Sequence, residues 1–134
     1  MLPYVSIMGD RAMNVGPRVL VGEDEELVRS VICETLMEEG FHVTAASDAD
    51  EALDLLDHAP AFDLLLTDVH MPGRTDGLGV AAHARAQDPD MPIVVVTGRP
   101  EAGRGVAGLR PHCAFVTKPY TLSTILGAIS TARD

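Results

Sequence analysis

Along the chain, short apolar runs of period two or less alternate with longer stretches of helical period. "RVLVG" (18–22) is β-branched, brief and stopped by Gly, which predicts a strand. From Glu25 to Glu39 the apolar positions Leu27, Val28, Val31, Ile32, Thr35 and Leu36 fall on one helical stripe, with Gly40 as its stop. "FHVTAA" (41–46) alternates as a strand. Ser47 is the expected cap of the next helix, with Glu51 near its first turn and Ala49, Ala52, Leu53, Leu55 and Leu56 as its apolar face, closed by Pro60. "FDLLLT" (62–67) is a third strand, followed by a small-residue helix from Leu78 to Gln87. "IVVVT" (93–97) is apolar throughout, so it is expected to be covered on both faces. "CAFVT" (113–117) and a helix from Thr121 to about Thr131 complete the pattern.

Strand-then-helix repetition implies an α/β fold: a (βα)5 doubly wound, flavodoxin-like parallel sheet of five strands, joined by right-handed crossovers. One unit fits poorly. Between Thr97 and Cys113 runs "GRPEAGRGVAGLRPH", and each interior Gly costs a helix about 1 kcal/mol relative to Ala. The fourth helix is therefore expected to be short or mobile. Residues 1–17 read as a flexible tail, and 18–134 as one domain.

Composition narrows the choices. A chain of 134 residues is long enough to bury a core, and with no Trp, two Tyr and three Phe that core must be aliphatic. The formal charge of −10 disfavours partners held by a positive field, nucleic acid and anionic lipid among them. No apolar run reaches the roughly 18 residues of a membrane span, and the start lacks the basic and apolar regions of a secretory signal. A cytoplasmic location is expected. Cys33 and Cys113 read as buried free thiols, and no His or Cys pair has zinc spacing. "GRGVAG" (103–108) spells G-x-G-x-x-G, but it does not directly follow a strand, and no adequate βαβ unit remains after it.

In a parallel α/β sheet, ligands sit beyond the carboxyl ends of the strands. Those ends carry Glu23 and Asp24, then Asp68, then Thr97 and Gly98, then Lys118 and Pro119. Three carboxylates sharing one edge repel one another by kcal/mol amounts even at moderate effective dielectric. A hard divalent cation relieves that repulsion, and Mg²⁺ suits an all-oxygen site with room for a phosphoryl oxygen.

Four pieces, "VLVGEDEELVR", "DLLLTDVHMPGRTDGLG", "IVVVTG" and "FVTKPY", in this order and spacing, resemble the receiver domain of two-component response regulators. The resemblance runs from about Arg18 to Ala132. Its wording is most similar to alphaproteobacterial receivers, single-domain or attached to sensor kinases. It implies that Asp68 is the phosphoacceptor and that Mg²⁺ is held by Asp24, Glu23, Asp68 and the main-chain carbonyl of His70. Lys118 would pair with a phosphoryl oxygen, Thr97 would sense the phosphate, and Gly98 would leave room for it. Phe115 would be the aromatic switch, the Lys118–Pro119 peptide would be cis, and the side chains of His70 and Arg99 would border the site.

The implied partners are a sensor histidine kinase or histidine phosphotransferase, and a downstream protein meeting the face of the fourth helix, fifth strand and fifth helix. No output domain is expected in this chain, and no enzyme activity beyond its own phosphorylation and dephosphorylation. Two alternatives compete. An aspartyl-phosphate phosphatase of the haloacid-dehalogenase type wants a second Asp where His70 stands and a cap domain. A receiver fold used only for protein binding would not be phosphorylated.

Overall fold

The computed structural model describes residues 16–134. The elements run β1 (Arg18–Gly22), α1 (Glu26–Glu38), β2 (His42–Ala46), α2 (Ala49–His58), β3 (Leu64–Asp68), α3 (Gly77–Gln87) and β4 (Ile93–Thr97). A 3₁₀ segment (Pro100–Leu109), β5 (Cys113–Thr117) and α4 (Leu122–Arg133) follow. All strand pairings are parallel, in the order β2-β1-β3-β4-β5. The topology is flavodoxin-like, as the alternation of patterns predicts.

Period two sorts each strand between two cores. Leu20, Leu65, Ile93 and Val95 face one side, where Ala49 and Ala52 of α2 and Val80, Ala81 and Ala84 of α3 meet them. Val19, Val21, Leu64, Leu66, Val94 and Val96 face the other, against Ile32 and Leu36 of α1 and Ile125, Ile129 and Ala132 of α4. β3 and β4 are buried at every residue, which is why both read as unbroken apolar runs. Cys33 and Cys113 are free, and they pack against opposite cores.

The helix count differs from the (βα)5 expectation: among the described residues there are four α-helices. The fourth crossover winds instead as a 3₁₀ segment with Pro at its start and glycines at 103, 105 and 108, which weaken the longer-range α-helical pattern. Val106 and Leu109 still bury themselves in the α2–α3 core. Gly103 lies against the Phe115 ring, where an added Cβ would sit 3.3 Å from it.

Two local expectations are also corrected. Asp48, not Ser47, caps α2, accepting a hydrogen bond from the Glu51 N–H at 2.7 Å. Glu51 reaches back to the Ser47 N–H at 2.8 Å, so the reciprocal pair exists with its members shifted by one residue. The stripe on α1 is wider than its buried face: Ile32 and Leu36 are buried, but Leu27 is 82% exposed and Val31 50%. Gly40 ends α1 with φ +94°, the left-handed stop its position predicts. Residues 1–15 of the expected tail lie outside the described residues. Pro17 is already tied to the sheet, its carbonyl accepting the His42 N–H at 2.8 Å. Among the described residues no helix is long and apolar enough to cross a membrane.

Candidate functional site

Residue types at the strand ends decide what the carboxyl edge can do. β3 delivers Asp68 there, 4% exposed, after four buried neighbours that anchor the strand. Val69 is fixed on both sides: its N–H donates to the Val96 carbonyl at 2.8 Å, and its carbonyl accepts the Gly77 N–H at 2.7 Å. Gly77 is required here by close approach, since a Cβ would collide with the Asp68 carbonyl. The chain leaves through Pro72 and Gly73, whose φ of +131° favours glycine.

The two Asp68 carboxylate oxygens have different partners. Oδ2 accepts a hydrogen bond from Lys118 Nζ at 2.6 Å, and Oδ1 accepts the His70 N–H at 3.0 Å. Lys118 comes off β5, held by its own N–H on the Thr97 carbonyl at 2.8 Å, and the Lys118–Pro119 peptide is cis. Burial pulls the Lys118 ammonium down, but the hydrogen bond and charge of Asp68, helped by Glu23, carry it above the ordinary lysine value.

Glu23 is the second buried acid, 2% exposed. Burial comes first in pushing its carboxyl up to about 7, the Glu25 N–H opposes it, and the charge of Asp68 adds to the rise. The Glu25 N–H donates to Glu23 Oε2 at 3.1 Å, and the Arg29 guanidinium binds the Glu23 carbonyl at 2.9 Å. Asp24 departs from the three-carboxylate expectation. It starts the turn into α1 and is exposed, and among the described residues no three or more acidic, His or Cys side chains are grouped to hold a metal. The pair Glu23 and Asp68 forms the centre, with Asp24 at its rim.

Thr97 is completely buried at the end of β4. Its hydroxyl accepts the Arg99 N–H at 3.0 Å and lies 3.1 Å from His70 Nε2. A Cβ at Gly98 would meet nothing within 4 Å, so that flank is open. Phe115 is half-buried on β5, packed against the α2–α3 core, and the Arg99 side chain is exposed.

Tyr120 belongs to these surroundings and had no role in the sequence reading. Burial first, then the charge of Glu23, raises its phenol above the ordinary value. Its place two residues after Lys118 was the available signal. Beside it opens an apolar groove of about 470 Å³ lined by Leu27, Val28, Val31, Ile32, Tyr120, Thr121 and Leu122.

The donor set fits Mg²⁺. Two buried carboxylates, Glu23 and Asp68, stand at one strand edge with the Lys118 ammonium on Asp68, and the charge of Asp68 adds to the rise that burial imposes on the Glu23 carboxyl. All the available donors are hard oxygens, as that ion prefers.

The family model for the response regulator receiver domain matches residues 19–130. The chain belongs to that family, the receiver domains of two-component systems. It is 38% identical over 111 residues to the response regulator MprA of Mycobacterium sp. (strain KMS), covering 81% of this chain and 47% of the relative. The chain thus spans about half the length of the curated relatives it matches. A response regulator receiver protein from Sinorhizobium medicae WSM419 superposes with a TM-score of 0.80 at 31% identity, covering 89% of this chain and 95% of the other. The response regulator TrrA from Thermotoga maritima, solved in complex with Mg²⁺–BeF, gives 0.75 at 27% identity, covering 87% and 98%. Mycobacterial relatives beside a Sinorhizobium neighbour do not support the narrower alphaproteobacterial resemblance. Phosphorylation on an aspartate and Mg²⁺ binding at that site are general to the family.

Proposed function

We propose that this chain takes a phosphoryl group from the phosphohistidine of a sensor kinase or histidine phosphotransferase onto Asp68. The observation that carries the reading is the Asp68–Lys118 pair at 2.6 Å beside buried Glu23. One Asp68 oxygen attacks phosphorus in line, the P–N bond breaks, and the imidazole leaves with the electron pair. Lys118 then turns its ammonium to a phosphoryl oxygen, where fixed positive charge stabilises the transferring group. Bound Mg²⁺, held by Glu23, Asp24, Asp68 and the His70 carbonyl, would neutralise charge between carboxylates and phosphoryl oxygens.

Thr97 senses the new group through its hydroxyl, Gly98 leaves its flank open, and Phe115 follows Thr97. The rim side chain Arg99 borders the entrance. The receiver unit is residues 18–134, and it acts in the cytoplasm. The phosphodonor docks on the apolar groove between α1 and the start of α4, because that exposed patch adjoins the Lys118–Tyr120 turn. Output passes through the 3₁₀ segment, β5 and α4, by partner binding or by relay of the phosphoryl group.

Thermal melting with Mg²⁺ and beryllofluoride, a mimic of phosphoryl on aspartate, tests the assignment. At 100 times its dissociation constant, a ligand specific for the folded state stabilises by roughly 2.7 kcal/mol. Wild type should gain it only with Mg²⁺, and Asp68→Asn should gain none. Absence of any gain in folded wild type would leave a module that only binds proteins.

A further inference from the structure

His70 is the described residue whose hydrogen bonds reach both the acceptor and the buried hydroxyl. Its main-chain N–H donates to Asp68 Oδ1 at 3.0 Å, while its ring Nε2 lies 3.1 Å from Thr97 Oγ1. A threonine hydroxyl has one proton to give and two lone pairs. The Arg99 N–H occupies one lone pair. His70 Nε2 is within hydrogen-bond distance of the same hydroxyl, and in the tautomer protonated at Nδ1 it accepts the hydroxyl proton. Thr97 is completely buried and His70 is exposed, so the imidazole reaches over the strand end and closes on the hydroxyl from the solvent side.

We propose that His70 is a positioning residue for the chemistry at Asp68: in the resting protein its Nε2 accepts the Thr97 hydroxyl and competes for that proton with an incoming phosphoryl oxygen. The proposal rests on the reading of Asp68 as phosphoacceptor. It gives the unphosphorylated state a specific stabilising contact, lost when Thr97 turns to the phosphoryl group. The imidazole thereby sets how strongly the site favours its empty form. Because the Arg99 N–H sits on the same hydroxyl, movement of Thr97 also disturbs the first residue after Gly98, at the entrance to the 3₁₀ segment.

The test is a double-mutant cycle read by calorimetric titration with beryllofluoride at saturating Mg²⁺. Removing one competing neutral hydrogen bond should tighten binding by roughly five-fold in His70→Ala. In the Thr97→Val background the same change should have no effect, since the contested proton is gone. Unchanged or weaker binding in His70→Ala, or an equal gain in both backgrounds, would overturn the proposal. If wild type binds nothing, the acceptor reading falls and takes this one with it. If wild type binds, Asp68→Asn does not, and His70→Ala matches wild type, only the role of His70 falls.

A second measurement needs neither metal nor phosphoryl mimic. In the metal-free protein, Thr97→Val should move the His70 Nε2 resonance in nitrogen-detected imidazole spectra and leave the other four histidines in place. A static His70 signal would overturn the contact itself.

Discussion

On the proposed reading Lys118 serves two oxygens in succession, and its observed partner Asp68 makes its removal costly. In Lys118→Ala, Asp68 keeps the His70 N–H and loses the ammonium paired with it, while the charge of Glu23 remains near. Stranding a buried carboxylate costs several kcal/mol, but the lysine side chain is 34% exposed and water would enter. We expect a loss of about 2 kcal/mol in urea unfolding without Mg²⁺, and loss of phosphoryl transfer. Glu23 gives the metal-free protein a pH signature. Its carboxyl stands at about 7 in the fold against 4.5 unfolded, so between those values the folded state holds a proton that the unfolded chain has released. Stability is therefore highest below about pH 4.5 with respect to this group, and falls as pH rises through 7. Urea midpoints at pH 5 and pH 8 should show that fall, and Glu23→Gln should flatten it. At this scale Asp68, Thr97 and Lys118 could be placed at the sheet edge from sequence because strand ends are marked by abrupt polarity. Tyr120 and the inward turn of Glu23 could not, since burial of a loop side chain depends on neighbours from other strands.

Elements with strong local signals matched their predicted bounds: β4 and β5 end where the apolar runs end. Elements decided by tertiary contact did not. Asp48 won the α2 cap over Ser47 because its carboxylate reaches the Glu51 N–H, and both residue types are good caps. The 3₁₀ segment was legible as weak, yet its winding was not, because Val106 and Leu109 find their pocket only when α3 is in place. On α1, periodicity marked Leu27 and Val31 as interior, and they face solvent beside Tyr120 and Leu122. Leu27→Glu should therefore change stability by no more than about 0.5 kcal/mol. It should slow transfer from the phosphodonor by roughly ten-fold, the equivalent of 1.4 kcal/mol, while beryllofluoride binding stays at the wild-type level. Radiolabelled transfer from the kinase beside calorimetry separates the two. Gly77→Ala should act oppositely: a methyl driven into the Asp68 carbonyl displaces the acceptor, so beryllofluoride affinity falls along with the melting temperature.

Across the whole molecule, alternation of patterns was enough to place five parallel strands, since a buried sheet leaves few other arrangements for such runs. What no pattern marked is Arg85. Its guanidinium donates to the carbonyls of Leu109, Asp88, Pro89, Met91 and His112, joining the end of α3, the end of the 3₁₀ segment and the approach to β5. Sequence showed only a basic residue near a helix end, and its five acceptors come from backbone that must fold first. Arg85→Met should keep the stem packed yet lower the melting temperature, with amide exchange accelerated first over residues 105–113. Every one of those acceptors is an uncharged oxygen. Ions in solution weaken attraction between exposed charges such as Arg74 and Asp50, but find little to screen in a cation ringed by dipoles. The joint at Arg85 should thus hold in brine, making this fold's fastening one of geometry rather than of opposite signs.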